Sequence, residues 1–120
     1  MRILAIEKTE EDLNVLLDRI QDAFPESTCT GFTDPLMAIK DFMVQIPDFT
    51  VFCADMHPID GFTFARTIRS RYPEFTGLML GTDDSQKEDA LKYSLDFLVK
   101  PVDSGQLKET WERMQSFALK

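Results

Sequence analysis

Residues 51–62 read VFCADMHPIDGF. A short apolar run ends in a cysteine, an alanine and an aspartate, and Met-His-Pro then leads to an Asp-Gly turn. A run of this length closed by turn residues is the pattern of a buried strand. Beyond the turn, FTFARTIRSRY (62–72) places Phe64, Ala65 and Ile68 at helical spacing with arginines on the other side, and Pro73 stops it. The stretch is therefore a strand, a loop and a helix. It raises one question: Asp55 is either a phosphate acceptor at the mouth of a sheet or only the polar residue that caps the turn after a strand.

The same unit repeats on both sides. RILAI (2–6) is a short apolar strand. Thr9 is a helix cap with acids behind it, followed by Leu13, Leu16, Leu17, Ile20 and Phe24 at helical spacing and by Pro25. STCTGF (27–32) is a second strand. Asp34-Pro35 opens a second helix with Leu36, Ile39, Phe42, Met43 and Ile46 as its apolar face, closed by Pro47. FTVFCA (49–54) is the third strand, GLMLG (77–81) the fourth and DFLV (96–99) the fifth. DDSQKEDALKY is a short polar helix between the last two. Asp103 and Gln106 form a capping box for a final helix lined by Leu107, Trp111, Met114 and Phe117 or Ala118.

Five strands alternating with five helices imply an α/β fold, a (βα)5 doubly wound parallel sheet of the flavodoxin-like kind. The expected strand order is 2-1-3-4-5. Residues 1–120 form one domain on grounds of length, without internal repeat or linker. The sequence ends where the last helix does, which fits a stand-alone domain or one cut from a longer protein.

Composition narrows the function. Thirteen basic residues against 21 acidic ones give a net charge of −8, which argues against binding nucleic acid or an anionic membrane through the overall field. Cys29 and Cys53 sit in apolar or strand-like runs, as reduced thiols of a cytoplasmic protein do. On strands separated by the first one, they do not form a disulfide. His57 is the one histidine and there is no C-x-x-C, so a zinc site is not indicated, and His57 reads as a solvated loop residue. No signal peptide or spanning segment is visible.

In such sheets ligands sit at the carboxyl ends of the strands. There the sequence offers Glu7-Lys8, Cys53 to Asp55, Gly81-Thr82 and Lys100. No glycine-rich phosphate loop follows the first strand, where EKTE stands instead. A small flavin- or nucleotide-binding α/β protein is thus the most distant reading. A hydrolase triad is disfavoured by the lone histidine and the lack of an activated-serine motif.

These positions resemble a response-regulator receiver domain along the whole chain. The markers are RILAIEK with its acidic end, the third strand with its carboxylate and P-x-D-G-F loop, Thr82 after the fourth strand, Phe97 in the fifth, and Lys100-Pro101. RILAIEK and DFLVKPV most resemble receivers of LytTR-type regulators. The resemblance implies bacterial two-component phosphorelay signalling. In that family two acids after the first strand and an aspartate after the third hold magnesium, and the aspartate takes a phosphoryl group. Metal and lysine neutralise the charge that develops, a threonine bonds the phosphate, and an aromatic reports the switch. Carried over, this makes Asp55 the phosphoacceptor candidate, Glu7 and Asp55 the metal ligands, and Thr82, Phe97 and Lys100 the phosphate and switch residues. On chemistry alone Thr82 is equally a helix cap, Phe97 plain core and Lys100 an exposed lysine.

Two departures stand out. The acidic pair is Glu7-Lys8, so a cation occupies the second carboxylate's place. Like charges at ~4 Å repel by roughly 4 kcal/mol at an effective dielectric of about 20, which weakens magnesium binding severely. Alternatively Lys8 and Lys100 pair with Glu7 and Asp55, leaving a neutral corner without metal. The second departure is the loop. Receivers read Asp-x-x-x-Pro-x-x-x-Gly, and eight residues back from Gly61 is Cys53. Without gaps the acceptor position is Cys53; with Asp55 the loop is two residues short. Pro47-Asp48 also falls at its usual distance before Cys53. On its own chemistry Cys53 reads as a buried apolar filler.

The expectation is a pseudo-receiver, an atypical receiver-like signalling module that is not an enzyme and acts through protein–protein contact, with magnesium weak or absent. Its partners are a sensor histidine kinase or another signalling protein, or a second copy through the fourth and fifth helices. DNA enters only through a separate output domain, and membrane not at all. The alternative is a competent receiver that catalyses its own phosphorylation on Asp55 with magnesium.

Overall fold

The computed structural model describes residues 1–118, apart from the side chains of Phe117 and Ala118. β1 (Arg2–Ile6), β2 (Thr28–Phe32), β3 (Phe49–Cys53), β4 (Leu78–Gly81) and β5 (Asp96–Val99) form one parallel sheet in the order 2-1-3-4-5. The helices are α1 (Glu10–Ala23), α2 (Pro35–Val44), α3 (Gly61–Arg69), α4 (Lys87–Lys92) and α5 (Ser104–Ala118), with a 3-10 turn over Asp84–Gln86 leading into α4. This is the doubly wound α/β architecture that the alternating pattern implies.

Parallel strands buried on both faces read as nearly continuous apolar runs, and β3 shows it: all five of its residues are buried, with Thr50 the one hydroxyl among them. Alternation sends Leu4, Ile6, Phe52 and Met79 into one layer, with Phe42, Phe64 and Phe75 from the helical side. It sends Ile3, Ala5, Phe49, Val51, Leu78 and Leu80 into the other, against Leu13, Leu16, Ile20 and Leu107. Phe52 lies 5.1 Å from the Phe64 ring and 6.2 Å from the Phe75 ring, so its truncation to alanine costs about 3–5 kcal/mol.

Register brings the strand ends level. Ile6 pairs with both Phe32 and Phe52, Cys53 with Leu80, and Gly81 with Val99. The chain leaves every strand at that edge and turns into a helix there. Thr9 accepts from the Asp12 N–H, Asp34 from Leu36, and Asp60 from Thr63. Asp103 and Gln106 cap each other reciprocally at 2.8 and 3.0 Å. Those at Thr9, Asp34 and Asp103 are the ones the sequence signals, because each is a contact over two or three residues, while Asp60 reads in the sequence only as part of a turn.

Three expectations need correction. α2 buries Pro35, Ala38 and Phe42, whereas Leu36, Met43 and Ile46 are exposed. This helix is apolar on nearly every side, so periodicity could not choose its inner face. β3 ends at Cys53 and not at Ala54. Thr82, weighed as a cap, is not one: Asp83 caps the 3-10 turn by accepting from the Ser85 N–H. The expected inward line of α5 is present at Leu107, Trp111 and Met114, while the side chains of Phe117 and Ala118 lie outside the described residues. Cys29 and Cys53 are free thiols, on strands with β1 between them. Among the described residues no helix is long and apolar enough to cross a membrane.

Candidate functional site

The strand ends carry two separate ion pairs. The inner one begins at Glu7, the residue after β1, whose backbone N–H donates to the Phe32 carbonyl and whose side chain is 2% exposed. Lys100, the residue after β5, is held by its own N–H to the Gly81 carbonyl. Its Nζ lies 3.2 Å from each Glu7 carboxylate oxygen and 3.5 Å from Cys53 Sγ. Oε1 of Glu7 also accepts the Lys8 N–H. Cys53 Sγ in turn donates to the Asp55 carbonyl at 3.4 Å. Burial, then the nearby Glu7 carboxylate, pushes the Cys53 thiol up from its ordinary value. Burial pulls Lys100 down, but Cys53 and then Glu7 outweigh that and raise it. At neutral pH Cys53 is a thiol, so Glu7 is the charge that Lys100 answers.

The outer pair is Lys8 with Asp55, Nζ to Oδ2 2.9 Å, with side chains 43% and 62% exposed. The hydrogen bond to Lys8 holds the Asp55 carboxyl below its ordinary range, and the same bond raises Lys8. Asp55 stands two residues beyond the end of β3, in a loop that closes on itself: the Gly61 N–H donates to the Ala54 carbonyl at 2.8 Å. The closure requires glycine. A Cβ at Gly61 would lie 2.7 Å from the Cys53 carbonyl oxygen and 2.9 Å from the Ala54 Cα. His57 is exposed in this loop.

A cavity of about 310 Å3 opens beside the outer pair, lined among others by Cys53, Asp55, Asp60, Thr82 and Asp83. Thr82 is exposed at its edge. Phe97 is turned into the core beneath Gly81, so closely that a Cβ on Gly81 would lie 2.5 Å from the ring. The structure thus brings Glu7, Cys53 and Lys100 together and sets Asp55 apart with Lys8. The role of Asp83 as a cap escaped the sequence reading, although an aspartate two residues before Ser85 is the ordinary signal for it.

Magnesium needs several oxygens free to turn toward it. Here both Glu7 oxygens face the Lys100 ammonium, and Asp55 Oδ2 faces that of Lys8. Among the described residues no group of three His, Cys, Asp or Glu side chains is placed to hold a metal ion. The two carboxylates expected as metal ligands are thus each paired with a lysine, the buried one with Lys100 and the exposed one with Lys8.

No protein-family model matches the chain, and the comparison with curated proteins gives no match. Solved structures do match. The chemotaxis response regulator CheY4 of Vibrio cholerae is 23% identical, with 93% of this chain and 96% of that chain covered and a TM-score of 0.79. A response regulator receiver domain from Clostridium thermocellum is 16% identical, with 99% and 98% covered and a TM-score of 0.84. The receiver domain of a sensor histidine kinase from Pseudomonas aeruginosa, solved with magnesium in its active-site cleft, is 20% identical, with 93% and 94% covered and a TM-score of 0.81. The chain therefore has the receiver-domain fold of two-component response regulators.

Proposed function

We propose that this chain is a receiver-like signalling module that works by protein–protein contact, with phosphoryl transfer reduced or absent. The observation that carries the proposal is the division of the strand-end charges into two closed pairs. Transfer to an aspartate requires cations free to neutralise the transferring oxygens. Lys100 instead answers Glu7, with the Cys53 sulfur 3.5 Å away, and Lys8 occupies Asp55. The strand-end side chain that Lys100 reaches is Cys53, which supports the ungapped register, in which a thiol stands in place of an acceptor carboxylate.

The partner is a sensor histidine kinase or another signalling protein, or a second copy through α4 and α5. Residues 1–120 act as one domain in the cytoplasm, and DNA is reached only through a separate output domain. A competent receiver is the second reading. One feature favours it: Asp55 is exposed and lines the same cavity as Thr82. It requires Lys8 to leave Asp55.

The test is incubation with a small acyl phosphate and magnesium, followed by intact-mass measurement. The expected result is an unchanged mass. A phosphoryl adduct that Asp55→Asn abolishes would establish the competent receiver instead.

A further inference from the structure

α2 is apolar outside as well as inside. Opposite its buried Pro35, Ala38 and Phe42, the side chains of Leu36, Met37, Met43 and Val44 are exposed, Val44 by 87%. Residues 36, 37, 40, 43 and 44 fall on one stripe because positions three, four and seven apart share a helix face. An outer-layer helix ordinarily carries charged and polar groups there. Four aligned apolar side chains in water mark a contact surface. Beside the stripe runs a groove of about 510 Å3 between α2 and α3, lined by Ile39, Met43, Val44, Thr67 and Ser70, with Lys40 and Arg71.

Charge selects the occupant. Lys40 is the one charged residue on the stripe and sits at its midpoint. The ion pairs among the described residues are Arg2–Asp41, Lys8–Asp55, Lys100–Glu7 and Arg113–Asp96, so neither Lys40 nor Arg71 is in one. In a two-fold dimer through this stripe, Lys40 would face its own copy. The groove thus offers two uncompensated cations on a chain whose net charge is −8.

We propose that the α2–α3 face binds an amphipathic helix of another protein. Its apolar residues, three or four apart, seat against Ile39, Met43 and Val44, and its flanking carboxylates meet Lys40 and Arg71. Met37 and Met43 let the surface adapt to differently shaped apolar side chains. The inference is independent of phosphoryl chemistry at the strand ends.

The test uses two synthetic helical peptides with the same leucine spacing, one flanked by glutamates and one by lysines, titrated into isotope-labelled protein. The acidic peptide is expected to give saturable amide shifts confined to residues 36–46 and 67–71. It should bind about tenfold more tightly than the basic one. The double variant Lys40→Glu, Arg71→Glu should reverse that preference. Val44→Ser, at a position the fold leaves exposed, should weaken the acidic peptide about tenfold. Equal affinities, shifts elsewhere or no shifts would overturn the proposal. So would dimerisation of the unliganded chain that Val44→Ser abolishes, or binding to anionic vesicles that Lys40→Glu abolishes.

Discussion

The two ion pairs at the strand ends have opposite energetic weight, and length does not explain it. The outer pair, Lys8–Asp55, is the shorter at 2.9 Å, and the inner one, Lys100–Glu7, measures 3.2 Å. Yet the outer pair is bathed in water, where a salt bridge contributes little. The inner pair contains a carboxylate withdrawn from solvent, which cannot lose its partner without a large desolvation cost. Burial therefore decides which contact the fold depends on, and the exposed pair is left as the adjustable one.

The strongest attack on this contrast is Lys100→Met, which leaves Glu7 buried without its cation. It should cost about 3 kcal/mol in urea denaturation, the low end for a broken buried pair because Lys100 is partly exposed. A loss too small to measure would mean that Glu7 is hydrated and that the two pairs are alike. Gly81→Ala probes the packing beside the inner pair, since the added methyl meets the Phe97 ring. It should cost about 1–3 kcal/mol, with a changed Phe97 ring environment by NMR.

Thiol reactivity sharpens the contrast further. Burial and Glu7 raise Cys53, so in a Cys29→Ser background alkylation at pH 8 should be slower than for a model thiol. Cys29, which burial pushes up to about 11, should also react slowly in the native chain.

The smallest effect is expected outside. Lys8→Met should leave the denaturation midpoint unchanged while the Asp55 carboxyl titrates closer to 3.8. The Asp55 pKa is lowered in the fold, so its contribution is present at neutral pH and is lost as pH falls through the lowered value. That of Lys8 is raised, so its contribution is lost only as pH rises above 10.5 through the raised value. Carboxyl-carbon NMR of the wild-type and variant proteins reads the acid limb directly.

Much of this was legible beforehand, for physical reasons. Alternation implies a parallel sheet with right-handed crossovers, and the order 2-1-3-4-5 is the one usual for such sheets. The caps at Thr9, Asp34 and Asp103 follow from local hydrogen bonding. The face of α2 was not legible, because a helix apolar on both sides has no periodic signal to orient it. The pairing of Lys8 and Lys100 with two carboxylates was anticipated as one alternative, but not which lysine takes which. That depends on β1 and β5 delivering Glu7 and Lys100 to the interior, while the loop after Cys53 carries Asp55 outward. Spacing alone allowed two loop registers, and it could not show that Lys100, 47 residues away in sequence, reaches Cys53.

The most direct test is a magnesium titration of the isotope-labelled chain followed by backbone amide NMR. With both carboxylates held by lysines, the amides of Glu7, Asp55, Thr82 and Lys100 should stay unmoved through the millimolar range. Saturable shifts clustered at those four residues would show that magnesium displaces the lysines, and would contradict the closed-pair site.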